Sequence, residues 1–150
     1  MAIRQITNWQ DDRFDKTSRP IDKFDPRLHT LLDDMLDTLR EVDGYGCAAV
    51  HVGILRRAVV IDDPTGVIEL INPMITHSSP ETQLVKEGSI AEGAPWGMVN
   101  RPVAVTVTAS DRTGQPITLT GEGFLAATLC HEIDHLDGIR FSTKLTPHQP

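Results

Sequence analysis

The sequence predicts an α+β fold, with one helix near the N-terminus, strands in the middle and a second helix near the C-terminus. Apolar residues repeat at helical spacing over residues 26–42 and again over residues 124–136. Between these segments lie short runs rich in β-branched residues, separated by turn-forming residues. Since helices and strands do not alternate one by one, this order favours an α+β arrangement over a doubly wound parallel sheet.

The first helix has clear start and stop signals. Asp25 is a favourable N-cap residue, and Pro26 suits the first helical position, where its missing N–H costs no hydrogen bond. Gly44 is expected to end the helix. The amphipathic stripe consists of Leu28, Leu31, Leu32, Met35, Leu36, Leu39 and Val42. Residues 3–25 have no steady period, and we expect them to form an irregular arm on the body.

The middle of the chain predicts short strands separated by turns. Residues 62–66 and 111–114 are rich in Asp, Pro, Thr and Gly, which is typical of turns. Before the second turn, Val alternates with Ala or Thr, which indicates a half-buried strand. The run after this turn is expected to return antiparallel to that strand. The expected strands cover residues 57–61, 67–71, 103–108 and 117–120.

The second helix is expected to begin near residues 121–123, to run to about Leu136 and to end at Gly138. Its periodicity predicts a buried side facing the strands. The residues assigned to that side are Phe124, Leu125, Thr128, Leu129 and Ile133.

Composition limits the classes of function. The 150 residues suit a single domain, so we expect one unit over residues 1–150. With 14 Lys and Arg against 21 Asp and Glu, the net charge of −7 argues against binding of nucleic acid. No apolar run reaches the roughly 18 residues of a membrane helix. The two cysteines, Cys47 and Cys130, form no disulfide framework and are expected to be small buried residues, so we expect a reducing, cytoplasmic location.

The second helix carries the strongest chemical signal in the sequence. His131 and His135 are four residues apart, so both side chains lie on one helical face and can bind one metal ion. Glu132 is rotated by about 100° from His131, which allows its carboxylate to reach a metal-bound water and to exchange a proton with it. This pattern predicts a metal-dependent hydrolase.

A third metal ligand is expected upstream of this helix. In one protease class a third histidine follows the motif, but Phe141 stands at that position. Another class uses a glutamate from a later helix, and residues 136–150 are too few to form one. Two upstream segments remain, residues 44–53, which are rich in small residues, and residues 87–91.

Together, residues 44–53, 87–91 and 131–135 resemble the three signature segments of the peptide deformylases, in the same order and at plausible spacings. The resemblance covers most of the chain. It extends to the opening arm, Asp25-Pro26, Ile71-Asn72-Pro73, Arg101-Pro102 and residues 111–114 and 138–145.

The resemblance implies a small α+β fold in which antiparallel and mixed strands pack around a central, C-terminal metal-binding helix, with one N-terminal helix. It implies a cytoplasmic role in protein biosynthesis, the removal of the N-formyl group from the initiator methionine of new bacterial peptides. One divalent metal is implied, usually Fe²⁺, with Zn²⁺ or Ni²⁺ as substitutes. No membrane partner is implied.

The same resemblance suggests roles for individual residues. It makes His131 and His135 metal ligands and Glu132 the general acid and base. Gly46 and Ile90 would line the substrate groove, and the backbone N–H of Ile90 would stabilise the oxyanion. Gly44, in the first segment, is a further expected substrate-binding residue.

Two positions depart from the family pattern. Ser89 stands where the family has its third metal ligand, a cysteine, and His51 stands where the family has a glutamine that donates to the formyl oxygen. A neutral serine hydroxyl is a weaker metal ligand than a thiolate. Three interpretations remain open. His51 replaces the missing ligand; or Ser89 or water completes the metal site while His51 contacts substrate; or both metal and activity are lost.

The sequence therefore predicts a deformylase-like metallohydrolase that removes an N-formyl or related N-acyl group from a peptide or amino-acid-like substrate. Glu132 would act as general acid and base, Ser89 would join His131 and His135 at the metal, and His51 would assist catalysis. The alternative is a catalytically silent, peptide-binding paralogue that retains the groove.

Overall fold

A computed structural model describes residues 2–147 of the chain, which contain two α-helices, seven β-strands and three short 3-10 helices. The helices are α1 (Pro26–Glu41) and α2 (Phe124–Leu136). The strands are β1 (Gly46–Ala48), β2 (Ala58–Asp63), β3 (Gly66–Ser78), β4 (Thr82–Glu87), β5 (Gly97–Pro102), β6 (Ala104–Ser110) and β7 (Pro116–Glu122). The 3-10 helices are Asp12–Asp15, Ala49–Val52 and Phe141–Lys144.

Helix α1 begins as its sequence predicts. Asp25 is the N-cap residue, and its side chain accepts a hydrogen bond from the Leu28 N–H at 3.1 Å, while Pro26 occupies the first turn. The helix ends at Glu41, and its buried side packs mainly on β2. This apolar stripe shares a core with Cys47 and Val60. Neither described α-helix is long and apolar enough to cross a membrane.

The strands form two antiparallel sheets. The larger sheet has the order β1-β2-β3-β6-β7, and the smaller pairs β4 with β5. The four predicted strands overlap β2, β3, β6 and β7, with two of them beginning one residue early, and β3 continues to Ser78. The sequence did not predict β1, β4 or β5. Strand β1 is too short to show a period, and β4 alternates exposed and half-buried residues without a β-branched run.

Helix α2 is the most buried element and contacts β1, β5 and β7 from the inside. Gly123 precedes it with a φ of 60°, and the helix ends after Leu136, close to the predicted limit. The assignment of Phe124 to the buried side is wrong, because its side chain is 56% exposed and lies 4.8 Å from the Tyr45 ring. As the first residue of the helix, it lies at the rim where α2 enters the interior.

The opening arm lies on the body, as expected, and covers one side of α2. Its Thr7 N–H donates to the carbonyl of His51 at 2.7 Å, and the Ser18 N–H donates to the carbonyl of Leu136 at 2.8 Å. Trp9 and Phe14 are buried in the same core as the apolar residues of α2. Arg140 donates to backbone carbonyls of the arm, which joins the two ends of the described chain.

Candidate metal centre and cleft

Helix α2 brings the central residues of the predicted motif into the protein interior. His131, Glu132 and His135 are all buried, and His135 has no exposed side-chain surface. The imidazole centroids of His131 and His135 are 4.9 Å apart, with the rings nearly perpendicular. The one-turn spacing therefore gives two imidazoles on a single face, with Glu132 beside them.

A buried carboxylate orients the first of these imidazoles. Nδ1 of His131 donates to Oε1 of Glu87, at the end of β4, over 2.8 Å. Glu87 also accepts two hydrogen bonds from Arg101, of 2.6 Å and 2.9 Å. Burial would raise the pKa of Glu87, but the hydrogen bonds from Arg101 and His131 lower it to about 2. With Nδ1 fixed in this way, Nε2 of His131 is the nitrogen left for a metal.

The second imidazole is buried without partners. Neither Nδ1 nor Nε2 of His135 has a hydrogen-bond partner among residues 2–147, and the same holds for Oε1 of Glu132. Buried polar atoms are rarely left unsatisfied in native proteins. A divalent cation would satisfy one ring nitrogen of His135 and Oε1 of Glu132, because neutral imidazole and carboxylate are both good ligands for it. The residues at this site thus fit the metal that the family resemblance implies.

The environment of Glu132 suits proton exchange. Burial raises the pKa of Glu132 to about 7, although the neighbouring His131 opposes the rise. Gly46, on β1, allows the carboxylate to come close to the backbone. A Cβ at position 46 would lie 2.8 Å from Oε2 of Glu132 and 2.8 Å from Cγ2 of Thr128. The absence of a side chain at Gly46 is therefore a condition for the observed position of Glu132.

A third histidine lies beside this pair. His51 belongs to the 3-10 helix that follows β1, and its side chain is only 1% exposed. Its ring centroid is 4.8 Å from that of His135, and its Nδ1 is 3.8 Å from Oε1 of Glu132. His51, Glu132 and His135 form a group whose candidate ligand atoms all lie within 4.8 Å of one another. His131 lies outside that group.

Backbone groups and Ser89 fix the ring of His51. Nδ1 is 3.0 Å from the Ala48 nitrogen and 3.2 Å from the Ala48 carbonyl oxygen, so either tautomer finds a partner there. Nε2 is 3.2 Å from Oγ of Ser89, which also accepts a hydrogen bond from the Ala91 N–H at 3.1 Å. The two residues that depart from the family pattern are therefore in direct contact.

Burial favours neutral imidazoles at the centre of this cluster. Burial, with a further contribution from the charge of His131, lowers the pKa of His51 to about 3. Burial also lowers the pKa of His135 well below its usual value. Since an imidazole binds metal through the lone pair of its neutral form, both side chains are in the state that a metal requires.

A cleft of about 180 Å³, open to solvent, leads to this cluster. Among the predicted site residues, those that line it are Gly46, His51, Ser89, Ile90, His131 and Glu132. His135 lies deeper. Gly44 is not a lining residue, and its Cα faces Leu39 and Ile90, where a Cβ would approach their side chains to 2.6 Å and 2.7 Å. Gly44 therefore permits close packing behind Ile90.

Two acidic side chains lie behind the candidate ligands. Asp134 forms an ion pair with Arg101 at 2.8 Å. The described partners of Glu87 are His131 and Arg101. Both predicted buried cysteines, Cys47 and Cys130, are free and buried.

The structure adds site residues that sequence analysis missed. Phe14, from the opening arm, places its ring 5.5 Å from that of His51 and 5.3 Å from that of His135. Lys86 lines the cleft and lies over the exposed ring of Trp96, 4.4 Å from its centroid. A lone aromatic residue in an irregular arm carries no pattern that would reveal its contact with a distant helix.

Comparison with known proteins agrees with this geometry. A family model described as polypeptide deformylase matches residues 3–150. A peptide deformylase from Caldicellulosiruptor bescii is 49% identical over 145 residues, which cover 97% of this chain and 87% of that protein. The solved peptide deformylase from Legionella pneumophila is 40% identical, with a TM-score of 0.91 over 97% of this chain and 87% of that one. The predicted fold class is therefore confirmed.

A third comparison concerns a structure with a bound ligand. The peptide deformylase from Synechococcus elongatus, solved in complex with actinonin, is 30% identical to this chain. Its TM-score is 0.90, and the match covers 95% of this chain and 79% of that one.

Proposed function

Because the chain belongs to the polypeptide deformylase family and is a deformylase-like hydrolase, we propose that it removes the N-formyl group from a peptide or amino-acid-like substrate. Water adds to the formyl carbon, the carbon–nitrogen bond breaks, and the products are formate and a free amine. We propose one working unit over residues 1–150, acting in the cytoplasm.

The observation that carries this proposal is the buried carboxylate of Glu132 beside two imidazoles. Its Oε1 has no hydrogen-bond partner within residues 2–147, yet it belongs to a group that can hold a metal. Burial raises the pKa of this carboxyl group to about 7, so the group is suited to take up and release a proton near neutral pH.

We assign His131 and His135 as metal ligands, with Glu87 orienting His131. A divalent ion bound there, Fe²⁺ by family resemblance or else Zn²⁺ or Ni²⁺, would supply Lewis acidity and make water more acidic. Ser89 occupies the family's third-ligand position, and His51 occupies the position of the family's glutamine. One of them completes the ligand set and leaves the other to hydrogen-bond the substrate.

Glu132 acts as the general base and then as the general acid. It accepts a proton from the attacking water and returns it to the nitrogen that leaves as the amine. The backbone N–H of Ile90, at the wall of the cleft, donates to the developing oxyanion. Gly46, opposite Glu132, leaves room for the substrate backbone, and Gly44 keeps Ile90 in place behind it.

The altered pair His51 and Ser89 bears on the choice of substrate. In the family, the residue at position 89 binds the metal and the residue at position 51 donates to the formyl oxygen. A change at both positions therefore alters the immediate surroundings of the reacting group. We propose that the substrate is a specialised N-formyl or related N-acyl compound with a peptide or amino-acid character, rather than the bulk of new protein chains.

Release of formate tests this function. Metal-loaded protein is given an N-formylmethionyl peptide, N-formylmethionine and the matching N-acetyl peptide. We expect formate from at least one formyl substrate. Glu132→Gln should reduce kcat by about 10²- to 10⁴-fold, the usual contribution of general acid–base catalysis. Glu122→Gln, at the exposed end of β7, is the matched control.

Two outcomes would contradict the proposal. A metal-loaded protein that releases no formate or acetate, but still binds actinonin, would be the silent binding paralogue. Rapid turnover of formylmethionyl peptides together with poor use of smaller formyl compounds would contradict only the specialised substrate.

A further inference from the structure

We propose that His51 is the third metal ligand, so that three imidazoles, from His51, His131 and His135, hold the metal in place of the family's two imidazoles and a thiolate. This inference rests on the proposed metal-dependent function. It further assigns to Ser89 the task of a hydrogen-bonding group beside the metal rather than that of a ligand.

The first argument is proximity. The candidate ligand atoms of His51, Glu132 and His135 lie within 4.8 Å of one another, and the ring centroids of His51 and His135 are 4.8 Å apart. Metal-bound nitrogen atoms lie about 2.0–2.1 Å from zinc, so two ligands of one ion are within roughly 4 Å of each other. Small side-chain adjustments would therefore bring His51 and His135 onto one ion. His131 lies outside this group, so its Nε2 would also have to move toward the ion.

The second argument is the way the ring of His51 is held. Nδ1 lies 3.0 Å from the Ala48 nitrogen and 3.2 Å from the Ala48 carbonyl oxygen, and the tautomer that a metal at Nε2 requires carries its proton on Nδ1 and donates it to that carbonyl. This leaves the lone pair of Nε2 on the side of Ser89 and the cleft. Metal-binding histidines commonly donate their other ring N–H to a backbone carbonyl or a carboxylate. His131 follows the same rule with Glu87, at 2.8 Å.

The third argument is the chemistry of the alternative ligand. The hydroxyl of Ser89 is not ionised near neutral pH, and one of its lone pairs accepts the Ala91 N–H at 3.1 Å. Neutral imidazole is a much better ligand for Zn²⁺, Ni²⁺ or Fe²⁺ than a neutral hydroxyl. Between two residues in contact, the metal would therefore select His51, and Ser89 would keep a hydroxyl proton to donate to the substrate or to water.

Metal-binding assays on four variants test the ligand set without relying on activity. Co²⁺ or Zn²⁺ is titrated into metal-free parent protein, His51→Gln, Ser89→Ala and the double variant His51→Gln/Ser89→Cys, which restores the family pair. His77→Gln, at an exposed position on β3, is the matched histidine control. Circular dichroism of the metal-free proteins checks that each variant is folded.

We expect one ion per parent chain and a Co²⁺ spectrum without a thiolate charge-transfer band. His51→Gln should weaken binding by at least about 100-fold, beyond the usual effect of losing an outer-shell partner. Ser89→Ala and His77→Gln should bind like the parent. The double variant should regain binding and acquire the thiolate band, which would show that glutamine is tolerated at position 51.

X-ray absorption of the zinc-loaded parent counts imidazole ligands without any substitution. Three imidazoles support the proposal, and two overturn it. Equal binding by His51→Gln and the parent, or a loss in Ser89→Ala as large as in His51→Gln, would also overturn it while leaving the proposed function intact. A reconstituted parent that binds no metal would contradict the proposed function itself.

Discussion

Glu87 and His131 are joined by a 2.8 Å hydrogen bond between a carboxylate oxygen and Nδ1, and this contact connects β4 to the face of α2 that carries the candidate metal ligands. Because Glu87 is also paired with the buried Arg101, the orientation of one candidate ligand depends on the charge network behind it. The geometry of the site is thus supported by residues outside the set of candidate metal ligands.

Glu87→Gln should damage both the fold and the metal site. The substitution leaves the buried Arg101 with only Asp134 as a charged partner, and breaking a buried pair costs about 3 kcal/mol or more. Losing the anchor of His131 should lower metal affinity about 10- to 100-fold. Urea unfolding and metal titration measure the two effects. Glu81→Gln, at an exposed site just before β4, should change neither.

Gly46→Ala should displace Glu132. The added Cβ would lie 2.8 Å from Oε2 of Glu132, so the carboxylate must move. We expect kcat to fall by about 10²-fold, with a loss of about 1–3 kcal/mol in the free energy of unfolding. Gly88→Ala is the control for stability, since its Cβ would meet only Cβ of Trp96, at 3.8 Å. Unchanged kcat in Gly46→Ala would contradict the assigned role of Glu132.

Phe14→Ala should loosen the site from the side of the opening arm. Phe14 is fully buried against the rings of His51 and His135, and removing a buried phenyl ring costs about 3–5 kcal/mol. Metal affinity should fall with stability, because two candidate ligands lose their packing partner. Phe124→Ala, at an exposed ring, should cost less than about 1 kcal/mol. Equal losses in both variants would refute this role of the arm.

The acid sensitivity of the fold should depend on Asp34. Burial would raise the pKa of this carboxyl group. The hydrogen bonds that it accepts from Arg4 and the Ala2 N–H outweigh this effect and lower its pKa. A folded pKa below the unfolded value of about 3.9 gives stability that is present above pH 4 and is lost as the pH falls.

Urea unfolding of Asp34→Asn and the parent, at neutral pH and near pH 3, measures this linkage. The difference in unfolding free energy should be largest at neutral pH and should shrink in acid. Asp22→Asn, at an exposed position in the arm, is the control. A difference independent of pH would show that Asp34 acts through packing alone.

The sequence predicted the elements that carry regular patterns. Asp25 and Pro26 mark the start of α1, and the spacing of His131 and His135 predicts two imidazoles on one face of α2. Both features depend on local geometry, which a helix imposes on its own residues. The class of site and the fold class could therefore be predicted from the sequence.

The contacts between distant segments could not be predicted from the sequence. The contact between His51 and Ser89 joins residues on two separate segments, and no local rule specifies its geometry. The positions of β4 and β5 and the packing of Phe14 depend on tertiary contacts in the same way. For the same reason Phe124, although in phase with the apolar repeat, is exposed at the rim.

The metal content of anaerobically purified protein tests the central claim most directly. Elemental analysis should find close to one iron, zinc or nickel ion per chain, and returning the ion to metal-free protein should raise the Tm, because the ion binds the folded state. Protein that holds no metal, even after reconstitution with each of these ions, and whose Tm does not respond to them, would contradict a metal-dependent hydrolase.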